Sequence, residues 1–176
     1  LANDIKDTLL THDFSKDIFI NEFDNYNQVK FQMKYKGFKI RGILDRVIVD
    51  HENKTVRFID LKTGMNPVSE FESSFLKFKY YLQAPIYTLA YDVIRKSLKL
   101  SDEYTLLPFE FLYISRFQKI PMIFVFTNKW LKASIKGFKR NSYTYRGLDE
   151  LLDLIKWHYE NRVFDFSKFV YESNGK

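Results

Sequence analysis

Cysteine is absent from the 176-residue chain. That excludes disulfides, zinc–thiolate sites and cysteine-held iron–sulfur clusters. With only three histidines, a bound metal would rest mainly on oxygen ligands, which favours Mg²⁺ or Mn²⁺. Glycine and proline are scarce, six and four residues, too few for a low-complexity or disordered chain. No apolar run approaches the roughly 18 residues a membrane span needs, and the N-terminus lacks the order of a signal peptide. A cytoplasmic protein with no membrane partner is expected. Acidic residues are missing from one long stretch: between Glu110 and Asp149 there is none, against Arg116, Lys119, Lys129, Lys132, Lys136, Lys139, Arg140 and Arg146. The first 24 residues lean the other way, with Asp4, Asp7, Asp13, Asp17, Glu22 and Asp24 against Lys6 and Lys16. At a net charge of +6, this asymmetry points to a polyanion contacted by the C-terminal half.

Aromatic residues are plentiful instead, 18 Phe and 12 Tyr within a 45% apolar composition. A chain of this length and content is expected to fold as one domain, 1–176, around a hydrophobic core. It starts with Leu rather than Met, and "LANDIKDTLL" already carries helical spacing at Leu1, Ile5 and Thr8 or Leu9. It is therefore expected to begin inside a longer protein.

Residues 2–11 read as the end of a helix. From there to Gly64 the β-branched and aromatic content rises, with turn signals at "DNYN", "KG" and "DHENK". This predicts an antiparallel meander with strands near 17–24, 28–35, 38–50 and 55–62. Phe71, Phe75, Phe78, Leu82, Ile86, Leu89 and Val93 then recur at helical intervals, predicting a helix over about 70–98. Pro85 is expected to kink it just after Gln83. Strands near 105–115 and 121–127 and helices near 129–140 and 147–160 complete the order, followed by a tail whose last residues are expected to fray.

The stretch "DRVIVDHENKTVRFIDLKTG", Asp45 to Gly64, places ionisable side chains at the ends of apolar strands. Alternation puts Phe58, Asp60 and Lys62 on one face of their strand, and Ile43, Asp45 and Val47 on one face of the preceding one. Pairing through the "DHENK" turn brings Asp45 and Asp60 together at the far end of the hairpin. Two adjacent carboxylates raise each other's pKa unless a cation lies between them. A divalent ion there would polarise a phosphoryl oxygen and activate water, and a lysine on the same face would orient that water or offset developing charge. A solvated Asp-X-Lys on a strand face is the plain alternative.

"GILDR" (Gly42 to Arg46), "DLKTG" (Asp60 to Gly64) and "QAPIY" (Gln83 to Tyr87), in that order, resemble the RecB-like branch of the PD-(D/E)XK nuclease superfamily. The resemblance implies an α/β (α+β) restriction-endonuclease-like core, a central mixed β-sheet flanked by helices. It implies a Mg²⁺- or Mn²⁺-dependent nuclease, an exonuclease acting on DNA in recombination, repair or phage DNA processing, with a larger recombination or helicase–nuclease complex as a candidate partner, bacterial or phage-encoded. Carried over residue by residue, Asp45 and Asp60 ligate metal with help from the Leu61 carbonyl, and Lys62 is the catalytic lysine. Gln83 and Tyr87 lie beside the site, where ordinary helix surface and core would also explain them. The histidine that the family adds from an N-terminal helix is replaced by Lys6. The third ligand is then in a preceding segment, or is Glu22, or is lost. If it is lost, the chain is a catalytically degenerate module that binds DNA or a protein. Nothing in the sequence excludes RNA as the substrate.

Lys129, Lys132, Lys136 and Lys139 are spaced by three, four and three, which puts them on one face of the helix predicted over 129–140, opposite Leu131, Ile135 and Phe138. Thr127 or Asn128 is placed to cap it. Together with Arg46, Arg140, Arg146 and Tyr143 they are the candidate nucleic-acid contacts, the lysines for phosphates and Tyr143 and Tyr145 for bases. A solvated helix face would hold the same lysines. Trp130, Trp157 and Phe124 are assigned to the core, and His12, His51 and His158 to turns and surface.

Overall fold

The computed structural model describes residues 2–19 and 23–174. In chain order come helices α1 (Ala2–Thr11) and α2 (Lys16–Phe19), then strands β1 (Asp24–Tyr35), β2 (Phe38–Asp50) and β3 (Thr55–Gly64). A 3-10 turn at Val68–Glu70 leads into helices α3 (Phe71–Lys77), α4 (Tyr80–Leu89) and α5 (Tyr91–Ser97). Strands β4 (Thr105–Leu106), β5 (Phe109–Ser115) and β6 (Pro121–Phe126) follow, then helix α6 (Asn128–Lys136). A small hairpin, β7 (Phe138–Arg140) and β8 (Tyr143–Tyr145), and helices α7 (Leu148–Asn161) and α8 (Lys168–Asn174) end the chain.

The main sheet runs β1-β2-β3-β5-β6, with β4 beside β3. β3 pairs antiparallel with β2 and parallel with β5, and β1/β2 and β5/β6 are antiparallel. This is the mixed α/β architecture that the resemblance implies. One face carries the larger core, in which Phe31, Val47, Phe58, Phe109 and Phe111 meet Phe71, Phe75, Tyr81 and Tyr87 of the crossover helices. The other face is covered by α1 and α2, through Leu9 and Ile18 on Ile48, Ile59, Leu112 and Ile114.

The sheet forks. β2 pairs with β3 from Asp50↔Thr55 only to Arg46↔Ile59. Beyond that pair β2 stays with β1 and β3 stays with β5 as far as Gly64↔Ser115. Asp45 and Asp60 are the first residues past the fork. At the same level the β1/β2 ladder skips a pair, running from Asn27↔Arg46 to Val29↔Leu44. Gln28 there has a left-handed backbone, φ 53, and both strands turn over. Leu44 is fully buried in the larger core, while Ile43 is 44% exposed. The expectation that Ile43, Asp45 and Val47 share a face is thus corrected: the turnover at Gln28 interrupts the alternation.

Other boundaries differ from expectation. Residues 16–19 form α2 rather than the start of a strand, and the supposed "DNYN" turn lies inside β1. The long crossover helix is three helices. It breaks at Lys79, φ 57, and at Ala90, and not at Pro85, which α4 accommodates. α6 is capped by the Thr127 hydroxyl and ends at Gly137, whose φ of 92 suits only glycine. Lys139 therefore sits on β7, outside the lysine row predicted for one helix face. Trp130 and Phe124 pack on the larger core, but Trp157 instead meets Tyr171 of α8, ring centroids 5.5 Å apart. The tail carries α8, and its last residues, the ones expected to fray, lie outside the described residues.

Gly42, of the "GILDR" motif, lies opposite Phe31 across β1/β2, and a Cβ on it would come 2.4 Å from the Phe31 ring. That ring is buried and has little room to retreat. Gly42→Ala is expected to cost about 1–3 kcal/mol of stability, read from the urea midpoint; an unchanged midpoint would show that the ring is free to move.

Candidate active site at the fork of the sheet

β3 is regular through Asp60 and Lys62, so both side chains leave on the side of Phe58, beneath α4. Asp60 is only 2% exposed. Its Oδ1 accepts a hydrogen bond of 2.9 Å from Gln83 Nε2, and its Oδ2 lies 2.5 Å from Lys62 Nζ in an ion pair but accepts no aligned hydrogen bond from the described residues. Burial pushes the Asp60 carboxyl up to about 6; Lys62 works against the rise, the nearby Asp45 charge adds to it, and Gln83 opposes it weakly. Lys62 Nζ also rests 4.7 Å from the centre of the Tyr80 ring, a cation–π contact that keeps the ammonium beside the carboxylate.

α4 supplies a relay of hydrogen bonds. Gln83 Nε2 donates to both Asp60 and the Tyr87 hydroxyl, the latter at 2.8 Å, and the Tyr87 hydroxyl donates to the Ile43 carbonyl at 3.0 Å. Gln83 and Tyr87 meet because they are one turn apart on a helix face. Burial raises the Tyr87 pKa, so its hydroxyl keeps its proton. The relay ties Asp60 of β3 to β2 across the fork.

Asp45 is held differently. Its Oδ1 accepts from Gln28 Nε2 at 3.0 Å and its Oδ2 from the Leu61 backbone N–H at 3.0 Å. It therefore lies at the open edge of β3 and also borders a cavity on the α2 side, which corrects the expectation that Lys62 shares its face. A strand residue's N–H and C=O leave on the same side, so the Leu61 carbonyl also points to the edge that β2 has vacated. Glu22, the candidate third ligand, lies outside the described residues. Among the described residues no three acidic or histidine side chains come together as a metal cluster, and Lys6 is exposed on α1.

The basic half is less bare than its composition implies. Lys136 pairs with Asp149 at 3.0 Å, Arg146 with Glu150 at 3.2 Å, and Arg140 with Glu72 of α3. Lys129, Lys132 and Lys139 are exposed. Tyr143 is 70% exposed, but Tyr145 stacks on Phe138 with ring centroids 4.9 Å apart and is not available to a base. Arg46 lies on the α2 side, bonded to Asn27 and 5.1 Å from the Phe19 ring.

Three residues of the site escaped the sequence: Gln28, Tyr80 and Phe19. Only Gln28 had a usable signal. The Lys36–Gly37 turn, with φ of 46 and 83, sets a two-residue hairpin, and counting back from it places Gln28 opposite Asp45.

An acid whose folded pKa lies above its unfolded one gains protons on folding between the two values, so stability falls as pH rises through that window. For Asp60 the window runs from 3.8 to about 6, and the loss is on the order of 3 kcal/mol. Without divalent ions, Asp60→Asn is therefore expected to be more stable than the parent at pH 8, the gap closing towards pH 4. Urea denaturation at the two pH values measures it, and a less stable variant at pH 8 would overturn this account of Asp60.

The motifs and the geometry agree with a wider comparison. No curated protein matches the chain. The family model of the PD-(D/E)XK nuclease superfamily matches residues 10–153, a span that contains the fork, both aspartates, Lys62 and the Gln83–Tyr87 relay. The chain belongs to the PD-(D/E)XK nuclease superfamily.

Proposed function

We propose that the chain is a Mg²⁺- or Mn²⁺-dependent nuclease that hydrolyses phosphodiester bonds in DNA as an exonuclease of the RecB-like kind, in recombination, repair or phage DNA processing. The observation that carries this reading is Asp60: a buried carboxylate with a raised pKa, flanked by a lysine, one residue past a fork that leaves a second carboxylate and a backbone carbonyl facing the same gap. A protein pays to bury such a group mainly where a cation or a reaction uses it.

The residues present fit a hard divalent ion. Asp60 Oδ2 has no aligned hydrogen bond, and carboxylates with a backbone carbonyl are the ligands such ions prefer. Asp45, Asp60 and the Leu61 carbonyl would hold it. When bound, the ion supplies positive charge to a phosphate oxygen and lowers the pKa of water. The chain's own groups do the rest. Lys62, fixed by Asp60 and Tyr80, is placed to orient water or to offset charge on the phosphate. Gln83 fixes the direction of the Asp60 carboxylate, and Tyr87, anchored on Ile43, fixes Gln83. Exposed Lys129, Lys132 and Lys139 remain for the phosphate backbone, a salt-sensitive and sequence-independent grip.

A second reading, a degenerate module that binds DNA or a protein partner without cutting, rests on Lys6 standing where the family's histidine would fall. Cleavage separates the two. With Mn²⁺ the protein is expected to degrade single- or double-stranded DNA, and Lys62→Ala is expected to lower the rate by about 10²–10³. Gln83→Ala is expected to lower it less while weakening the dependence on metal concentration. No cleavage of either substrate, or full activity in Lys62→Ala, would sink the nuclease reading.

A further inference from the structure

On the α2 side of the fork lies a cavity of about 310 Å³, lined by apolar side chains that include Phe19 and by the polar Asn27, Gln28, Asp45 and Arg46. Its size is at the low end of sites that hold small ligands, about 300–1,000 Å³. Asp45 belongs to both this cavity and the proposed metal site, so whatever fills the cavity lies next to the bond to be cut.

Arg46 is incompletely satisfied. One of its terminal nitrogens donates to Asn27 Oδ1 at 2.9 Å, but its Nε is buried with no hydrogen-bond partner among the described residues. A buried charged donor left unpaired is costly, and proteins keep few of them without a use. Its guanidinium carbon lies 5.1 Å from the centre of the Phe19 ring. An arginine beside a flat apolar ring combines phosphate recognition with a stacking surface for a base. Asp45, the one acid lining the cavity among the described residues, already accepts from Gln28 and the Leu61 N–H, which tempers its repulsion of an anion. Gln28 makes its bond from a left-handed backbone in mid-strand, φ 53. Strain of that kind at a non-glycine residue collects at functional sites.

We propose that this cavity is a subsite for one nucleotide unit of the substrate strand, with its phosphate on Arg46 and its base against Phe19. The subsite rests on the nuclease reading for its place in the reaction, but binding itself needs neither metal nor cleavage. Asn27 and Gln28 hold Arg46 and Asp45 in position from β1, so that the nucleotide's phosphate meets the guanidinium rather than the carboxylate.

The test is calorimetric titration of the whole chain in EDTA with a deoxynucleoside 5′-monophosphate, with inorganic phosphate and the free deoxynucleoside as separate probes. Saturable binding of one nucleotide is expected, with shifts of the Asn27 and Gln28 side-chain amide signals in NMR spectra. Arg46→Met and Phe19→Ala are each expected to weaken it about tenfold or more, and Arg46→Lys, which keeps the charge, to fall between. Both partial probes are expected to bind more weakly than the nucleotide. Absence of nucleotide binding, binding unchanged by Arg46→Met and Phe19→Ala, or equal affinity for inorganic phosphate would overturn the subsite. If Arg46→Met does not fold, by circular dichroism, the Phe19→Ala and Arg46→Lys results decide. Nucleotide binding by a protein that cuts no DNA would refute the nuclease reading and leave the subsite standing; cleavage without nucleotide binding would do the reverse.

Discussion

Burying a carboxylate removes it from water, and the cost is repaid only if neighbours replace what water supplied. Asp60 gets part of that repayment from Lys62 and Gln83, and the remainder shows as a pKa near 6. Its position depends on backbone pairing on one side and release on the other. β5 clamps β3 from Ile59 to Gly64, so the Asp60 and Lys62 side chains are aimed by a regular strand. β2 leaves at Arg46↔Ile59, and that departure frees the Leu61 edge. Had β2 stayed paired with β3 past Ile59, the Leu61 N–H and carbonyl would be occupied by sheet hydrogen bonds. The strained turnover at Gln28 is what lets β2 depart without unpairing from β1.

Aromatic packing keeps the helices over the site without any covalent staple. Phe71 lies at the centre of that packing, its ring centroid 4.1 Å from Phe124, 5.2 Å from Tyr113, 5.8 Å from Phe111 and 6.3 Å from Tyr80. Each such pair is worth about 0.5–1.5 kcal/mol beyond its buried area. Tyr80 then faces the Lys62 ammonium, so the same core that holds α3 and α4 on the sheet also positions the lysine. The left-handed residue Lys79 separates α3 from α4 and sets the direction in which Gln83 and Tyr87 reach the fork. Core and site share side chains here, and a change in one is felt in the other.

The sequence made Asp60 and Lys62 legible because β3 is regular, so simple alternation held. The order of strands and helices was legible for a similar reason, since periodicity changed cleanly from two to helical near Phe71, whereas the mixed sheet was implied only by the family resemblance. Asp45 was harder. The turnover that moves it to the strand edge is driven by Gln28 in a conformation its residue type does not favour, and composition carries no sign of it. Pro85 does not end a helix, since α4 runs through it, whereas the actual break, at Lys79, has no breaker residue. The basic stretch read as bare because its partners, Glu72 and Asp149, come from elsewhere in the chain and only folding brings them to Arg140 and Lys136. Gln83 and Tyr87 gained a role that their own spacing could not distinguish from helix surface and core, since the partners Asp60 and Ile43 are supplied by other strands.

The central claim is that Asp60 is held in a costly, buried state that a divalent cation relieves. Carboxyl ¹³C NMR of Asp60, titrated with and without Mg²⁺, tests it most directly. A carboxyl near 6 without the ion, falling well below that value when Mg²⁺ is added, is the predicted result. An ordinary aspartate titration without the ion, or a raised value that Mg²⁺ leaves unchanged, would contradict it.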